Sequence, residues 1–69
     1  MRVDVAKLRG KIVERGMTQE KLAHEIDMDK STFSRKMKSE ALEFSIGDMH
    51  RIASILSLSK EEAGEIFLS

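Results

Sequence analysis

Residues 18–38 read TQEKLAHEIDMDKSTFSRKMK, and their pattern predicts two short helices joined by a tight turn. Thr18 is a typical N-cap for the first helix, and Asp29 is one for the second. The small side chain of Ala23 would let the second helix cross the first closely. The apolar residues spaced to wedge the two helices together are Leu22, Ile26, Met28 and Phe33.

The second of these helices, over residues 30–38, has a polar outer face. With Phe33 and Met37 turned inward, 100° per residue puts hydroxyl and basic side chains on the opposite side. The segment contains four cations and no anion. Such a face suits the major groove of DNA, where Arg can bond to guanine and Ser or Thr can reach a base edge or a phosphate. The residues on or beside this face are Ser31, Thr32, Ser34, Arg35 and Lys38.

Helical spacing continues towards the N-terminus, and no segment alternates apolar and polar residues for long enough to predict a strand. Asp4 is the predicted N-cap of a first helix, and Gly16 is its predicted end. Gly10 lies within this helix and would let another helix approach closely. The predicted buried stripe consists of Val5, Leu8, Ile12 and either Ala6 or Val13.

Two further helices are predicted towards the C-terminus. Ser45 and Asp48 form a short-armed capping box at the start of the fourth helix, and Ser59 and Glu62 form a capping box at the start of the fifth. The chain is therefore expected to be all-α, with five short helices in one domain over residues 1–69. The predicted inward stripe of the fourth helix consists of Ile46, Met49, Ile52, Ala53 and Leu56.

The overall charge of the chain hides an uneven distribution. Twelve Lys and Arg balance 12 Asp and Glu, and a net charge of zero would by itself argue against a nucleic-acid ligand. Residues 1–38, however, hold 10 basic and 6 acidic side chains, a net +4, whereas residues 39–69 hold 2 and 6, a net −4. The positive half includes the two central helices, so the charge distribution favours an anionic partner on that side.

Nearly the whole chain resembles the lambda-repressor/Cro-like (XRE-type) helix-turn-helix family. The runs Thr18–Ala23 and Ser31–Met37 carry most of the likeness, while Leu8–Ile12, Phe44–Ile46 and Leu58–Glu62 are similar to parts of the family's first, fourth and fifth helices. The likeness is closest to short regulators encoded by phages and prophages. It implies a five-helix DNA-binding domain that acts as a dimeric transcription repressor in the cytoplasm of a bacterial host.

The resemblance also implies a set of contacts with double-stranded DNA, made chiefly by the helix over residues 30–38. The positions that match the family's base-reading residues are Lys30, Ser31, Thr32 and Arg35. The positions that match its phosphate contacts are Gln19, Ser34, Lys36 and Lys38.

Three positions depart from the family pattern. Asp27 stands where the turn usually has Gly, although Asp tolerates a left-handed backbone better than most residues. Lys36 stands where many members have a large apolar residue, and Met37 is expected to take over that packing. Ser39 and Glu40 replace a frequent Asn-Gly pair after the recognition helix, so the course of this loop does not follow from the resemblance.

The end of the fifth helix has two interpretations. Ile66, Phe67 and Leu68 are consecutive large apolar residues, which span about 200° of a helix and so cannot all face one core. In the first interpretation, one or two of them are exposed and form a dimer interface. In the second, the terminus folds back onto the first helix.

The composition excludes several other classes of protein. The absence of Cys removes disulfides and thiolate-ligated metals, while His24 and His50 lack clustered ligands. Helix capping and pairing explain the acidic residues between positions 20 and 29. We therefore predict no enzyme, cofactor, metal, small-molecule substrate or membrane contact. The open alternative is a protein-interaction module of the same fold, of the antitoxin or anti-repressor type, which the net charge of zero favours.

Overall fold

The computed structural model describes residues 3–39 and 44–67, which form five α-helices and contain no strand. The helices span Val5–Glu14 (α1), Gln19–Glu25 (α2), Lys30–Lys38 (α3), Ile46–Ile55 (α4) and Lys60–Phe67 (α5). The prediction of an all-α fold with five short helices is confirmed. Within the described ranges, no helix has the length and apolar character needed to cross a membrane.

Each helix begins at a residue whose side chain caps it. Side-chain oxygens accept bonds from the backbone N–H groups of the following turn at Asp4, Thr18, Asp29, Ser45 and Ser59. At the last two caps the bonds are reciprocal, since the carboxylates of Asp48 and Glu62 accept the N-cap backbone N–H groups. Both predicted capping boxes are therefore present, and a cap of this kind contributes about 1 kcal/mol to stability.

One hydrophobic core joins all five helices. Phe33 of α3 is fully buried in this core, with its ring centroid 5.4 Å from that of Phe44 and the two rings tilted by 58°. The other fully buried large side chains are Leu8, Ile12, Leu22, Met37, Ile52, Leu56 and Ile66.

The buried face of α1 is narrower than the sequence suggested. Leu8 and Ile12 are buried, but Val13 is 74 % exposed and Ala6 is exposed as well. At 100° per residue, both exposed residues lie more than about 90° from the centre of the buried face. Gly10 is also not a point of close approach, because a Cβ built there meets no atom within 4 Å.

The stripe predicted for α4 is wrong at its first residue. Ile46 is 67 % exposed, since it lies about 90° around the helix from the face that carries Met49, Ile52 and Leu56. Those three residues are buried as predicted.

Three residues with positive φ end three of the helices. Gly16 (φ 72°) follows α1, Asp27 (φ 58°) follows α2, and Ser57 (φ 52°) follows α4. After α2, the N–H of Met28 donates to the carbonyl of Ala23 at 2.8 Å, and corresponding bonds close the other two turns. This is the Schellman pattern, in which a left-handed residue satisfies the last carbonyls of a helix. Gly16 therefore ends α1 as predicted. Asp27 adopts the left-handed backbone conformation at the position where the family usually has Gly.

Asp27→Gly is expected to raise the free energy of unfolding by about 1 kcal/mol. A left-handed backbone costs a non-glycine residue roughly 1–2 kcal/mol, and the greater unfolded-state entropy of Gly offsets part of the gain. The measurement is the urea midpoint of each variant. Asp27→Asn is the control, because it removes the charge and keeps a side chain; an equal rise in both variants would contradict backbone strain as the cause.

Glu62 links α5 to α1. Its carboxylate accepts a hydrogen bond from Nζ of Lys11 and lies 3.3 Å from Nη2 of Arg15. Arg15 also donates through Nε to the carbonyl of Leu56 at 2.8 Å. These two basic residues of the N-terminal half are therefore bound to the acidic C-terminal half.

The end of α5 is packed into the core. Ile66 and Phe67 are both buried, and the backbone N–H of Asp4 donates to the carbonyl of Ile66 at 2.7 Å. This arrangement matches the interpretation in which the terminus folds back onto the first helix. Neither Ile66 nor Phe67 therefore contributes to an exposed patch: α1 packs against one side of α5, while Phe67 lines a groove between α5 and α4. Leu68 lies outside the described residues.

The domain is expected to lose stability in acid partly through Glu62. The hydrogen bond from Lys11 is the main reason why the pKa of the Glu62 carboxyl falls from 4.5 to about 2. Because the folded pKa is the lower one, the stabilisation is complete above about pH 4.5 and is lost as the pH falls towards 2. Glu62→Gln should therefore flatten the acid limb of a plot of unfolding free energy against pH. Glu65→Gln, an exposed substitution in the same helix, is the control, and identical acid limbs for the two variants would contradict the prediction.

Candidate nucleic-acid interface

Buried apolar side chains, called the wedge below, pack between α2 and α3 and hold the two helices together. Leu22, Ala23 and Ile26 from the α2 side and Phe33 from α3 are buried, and Met28 in the turn is partly buried against them. All five residues occupy the positions that the sequence predicted for them. The wedge leaves the opposite side of α3 open to solvent.

A shallow concavity lies on this open side, between α3 and the start of α2. The residues that line it are Gln19, Glu20, Lys30, Ser31, Ser34, Arg35 and Lys38. Six of these seven are among the eight residues predicted to contact DNA, so the structure brings most of the predicted set to one surface. The concavity presents hydroxyl, amide and cationic groups, which can bond to phosphate oxygens and base edges.

Two of the eight predicted residues do not line the concavity. At 100° per residue, Thr32 lies about 110° and Lys36 about 150° from the centre of the face of α3 formed by Ser31, Ser34, Arg35 and Lys38. Thr32 is accordingly partly buried at the edge of that face. Lys36 lies on the side of the helix that turns towards α4.

Lys36 contacts protein groups instead of facing the concavity. Its Nζ is 3.4 Å from Oδ2 of Asp48 and 5.9 Å from the ring centroid of Phe44, and its side chain is only 18 % exposed. The sequence assigned Lys36 to phosphate contact, but the structure places its ammonium group between α3 and the start of α4. The aliphatic stem of Lys can cover apolar surface in this way while its charge meets a carboxylate.

Asp48 is the carboxylate that receives Lys36. Burial acts to raise the pKa of Asp48, but hydrogen bonds from Ser45 and Lys36 outweigh it, and the pKa is lowered. Asp48 is therefore an anion that both caps α4 and ties it to α3. The sequence predicted the cap but not the tie, because the partner is 12 positions away.

Glu20 is a residue of the concavity that the sequence analysis did not place there. Its Oε2 lies 3.3 Å from Nζ of Lys30, and both side chains are largely exposed. From the sequence, Glu20 was interpreted as a residue that supports α2 by capping or by pairing within the helix. The sequence feature that could have placed Glu20 in the site is its position next to Gln19, the first residue of the helix-turn-helix motif.

The described residues include no cluster of three or more His, Cys, Asp or Glu side chains that could hold a metal ion. Apart from the carboxylate of Glu20, the side chains that line the concavity supply hydrogen-bond donors and cations. This chemistry suits recognition of an anionic polymer.

Residues 7–65 match the family model described as the Cro/C1-type HTH DNA-binding domain. The match extends from α1 to α5 and includes every residue that lines the concavity. No curated protein and no solved structure matches the chain.

Proposed function

The chain belongs to the Cro/C1-type helix-turn-helix DNA-binding domains, and we propose that it regulates transcription by binding a specific sequence of double-stranded DNA. The observation that carries this proposal is the concavity beside α3, where six predicted contact residues meet on one surface. In this proposal residues 1–69 form a single domain that acts in the cytoplasm of a bacterial host. It occupies a promoter as a Cro-like repressor of the phage type.

In the proposed complex, α3 lies in the major groove, whose width of about 12 Å admits an α-helix. Arg35 donates both guanidinium N–H groups of its fork to a guanine. Lys30 and Ser31, at the start of the helix, reach the neighbouring base edges, and Thr32 reaches a base from the rim. The remaining concavity residues bind phosphate oxygens on either side of the groove, and they are Gln19, Ser34 and Lys38.

Lys36 has a different role in this proposal. Its ammonium group is bound to Asp48, and a move to a phosphate would leave that buried carboxylate with Arg51 alone, whose Nη1 lies 3.6 Å from Oδ1. We therefore assign Lys36 to the contact between α3 and α4. The phosphate contact that the resemblance implied for Lys36 stays a prediction that the geometry does not favour.

The proposal includes a homodimer on DNA, which the resemblance to Cro-like repressors supports. Two copies of α3 would then read half-sites about one helical turn, or roughly 34 Å, apart. Ile66 and Phe67 are buried within the single chain. A contact between two copies would therefore have to use exposed residues near them. The half-site spacing in the bound DNA reports directly on this part of the proposal.

The test is selection of bound sequences from a pool of random duplexes at about 50 mM salt, where non-specific electrostatic contacts are strong. We expect one consensus sequence, and its affinity should fall with salt at a log–log slope near −0.9 for each phosphate that is neutralised. The matched control for loss of charge is Arg51→Ala, which removes an exposed cation of α4 outside the concavity. If no duplex is retained, or if retained duplexes share no sequence, sequence-specific binding is contradicted.

A protein-interaction module is the second candidate, and one observation favours it. A mostly apolar groove runs between α4 and α5 in the acidic half of the chain, and the exposed Ile46 lies on its rim. Its other lining residues are Met49, His50, Ala53, Lys60, Ala63, Gly64 and Phe67. Failure of the duplex selection would favour this candidate over DNA regulation.

A further inference from the structure

The concavity beside α3 contains a negative charge, although the proposed ligand is a polyanion. Among the described residues that line it, Glu20 is the one acid, and Lys30, Arg35 and Lys38 are the cations. Oε2 of Glu20 lies 3.3 Å from Nζ of Lys30. Lys30 is the first residue of α3, so the pair lies where the helix would enter the groove.

We infer that Glu20 is a specificity-determining residue, which holds Lys30 for contact with a base edge and keeps it from binding a phosphate. The inference rests on the proposed function. It concerns the ratio between specific and non-specific affinity, which the family assignment leaves open.

The ammonium group of Lys30 has three donors and no acceptor. It can therefore keep its bond to Glu20 while it donates to O6 or N7 of a guanine, because those acceptors carry no net charge. Contact with a phosphate is different, since it brings the phosphate towards the Glu20 carboxylate. The ammonium group must then leave the carboxylate, or the two anions must lie close together.

Non-specific binding depends almost entirely on phosphate contacts, whereas specific binding adds contacts to bases. The carboxylate of Glu20 therefore penalises the non-specific complex more than the specific one. Its removal should strengthen binding to random DNA and reduce discrimination.

The test is Glu20→Gln, measured on the selected duplex and on a random duplex over a range of salt concentrations. We expect the affinity for random DNA to rise about threefold, the effect of one exposed ion pair, and the affinity for the selected site to rise less. The log–log salt slope on random DNA should steepen by about 0.9, because Lys30 then neutralises one more phosphate. Glu25→Gln is the matched control, since it removes an exposed charge from the same helix outside the concavity.

A second variant pair isolates the role of Lys30. In a Lys30→Met background, Glu20→Gln should leave the salt slope unchanged, because the cation that it releases is absent. Glu20 also lies in the first turn of α2, where a negative charge favours the helix. Thermal unfolding of every variant is therefore followed in the same buffer, and binding is measured well below each midpoint.

The outcomes separate this inference from the proposed function. If the wild-type chain retains no duplex, the proposed function fails and the inference fails with it. If the wild type binds but Glu20→Gln strengthens both complexes equally with an unchanged slope, only the inference is overturned. It is also overturned if Glu20→Gln weakens the selected site alone, because Glu20 would then be reading a base amino group itself.

Discussion

Arg35→Ala is expected to weaken binding to the selected duplex by about 1–3 kcal/mol, or roughly 5- to 150-fold, and to relax the preference at one base pair. Arg35 lines the concavity on the outer face of α3. A bidentate contact from this position would discriminate guanine from the other bases. The measurement is the dissociation constant for the selected duplex and for duplexes that carry each substitution in turn. The base pair whose preference disappears identifies the contact.

Arg35→Lys separates base reading from charge. Lys keeps the positive charge but cannot form the planar two-bond contact of a guanidinium group. We expect it to restore affinity for random DNA without restoring the base preference. Arg51→Ala serves as the control for removal of an exposed cation. If Arg35→Ala costs the same on random and selected DNA, Arg35 is a phosphate contact and the base assignment is wrong.

Phe33→Ala is expected to lower the free energy of unfolding by about 3–5 kcal/mol, the usual cost of truncating a buried Phe. The total stability of natural domains is only about 5–15 kcal/mol, so this one change should leave a large unfolded fraction. Phe33 is buried at the crossing of α2 and α3 and packs against Phe44. Urea unfolding followed by circular dichroism measures the loss.

Phe33→Leu is the control for this prediction, because it retains most of the apolar volume. It should cost less than about 1.5 kcal/mol. DNA binding by Phe33→Ala should fall in proportion to the folded fraction, since Phe33 supports the site without facing it. A urea midpoint equal to that of the wild type would contradict the contribution of buried Phe33 to stability.

The helix boundaries could be predicted because their signals are local. The caps at Thr18 and Asp29 and the stop at Gly16 involve bonds to residues within one turn. The placement of Ser31, Arg35 and Lys38 on one face was also predictable, because it follows from the helical wheel of α3 once Phe33 and Met37 are turned inward. Gln19 and Lys30 came from the family resemblance instead.

Contacts between helices could not be predicted in this way. Lys36 meets Asp48 across 12 positions, and Lys11 meets Glu62 across 51. Periodicity identifies a buried face but not the carboxylate that another helix brings to it. For the same reason the apolar Ile46 was assigned to the core, although no neighbouring helix covers that side of α4 enough to bury it.

The hydrogen bond from Asp4 to Ile66, 2.7 Å long, brings the two ends of the described fold side by side. A short linker could therefore join the segment before α1 to the end of α5. The chain could then be reopened at the turn that follows α4, next to Ser57. Such a circular permutant would keep α2, the turn and α3 in unbroken order, so the concavity would be assembled from the same continuous segment. The same DNA-facing surface could thus be built with a different order of helices along the chain.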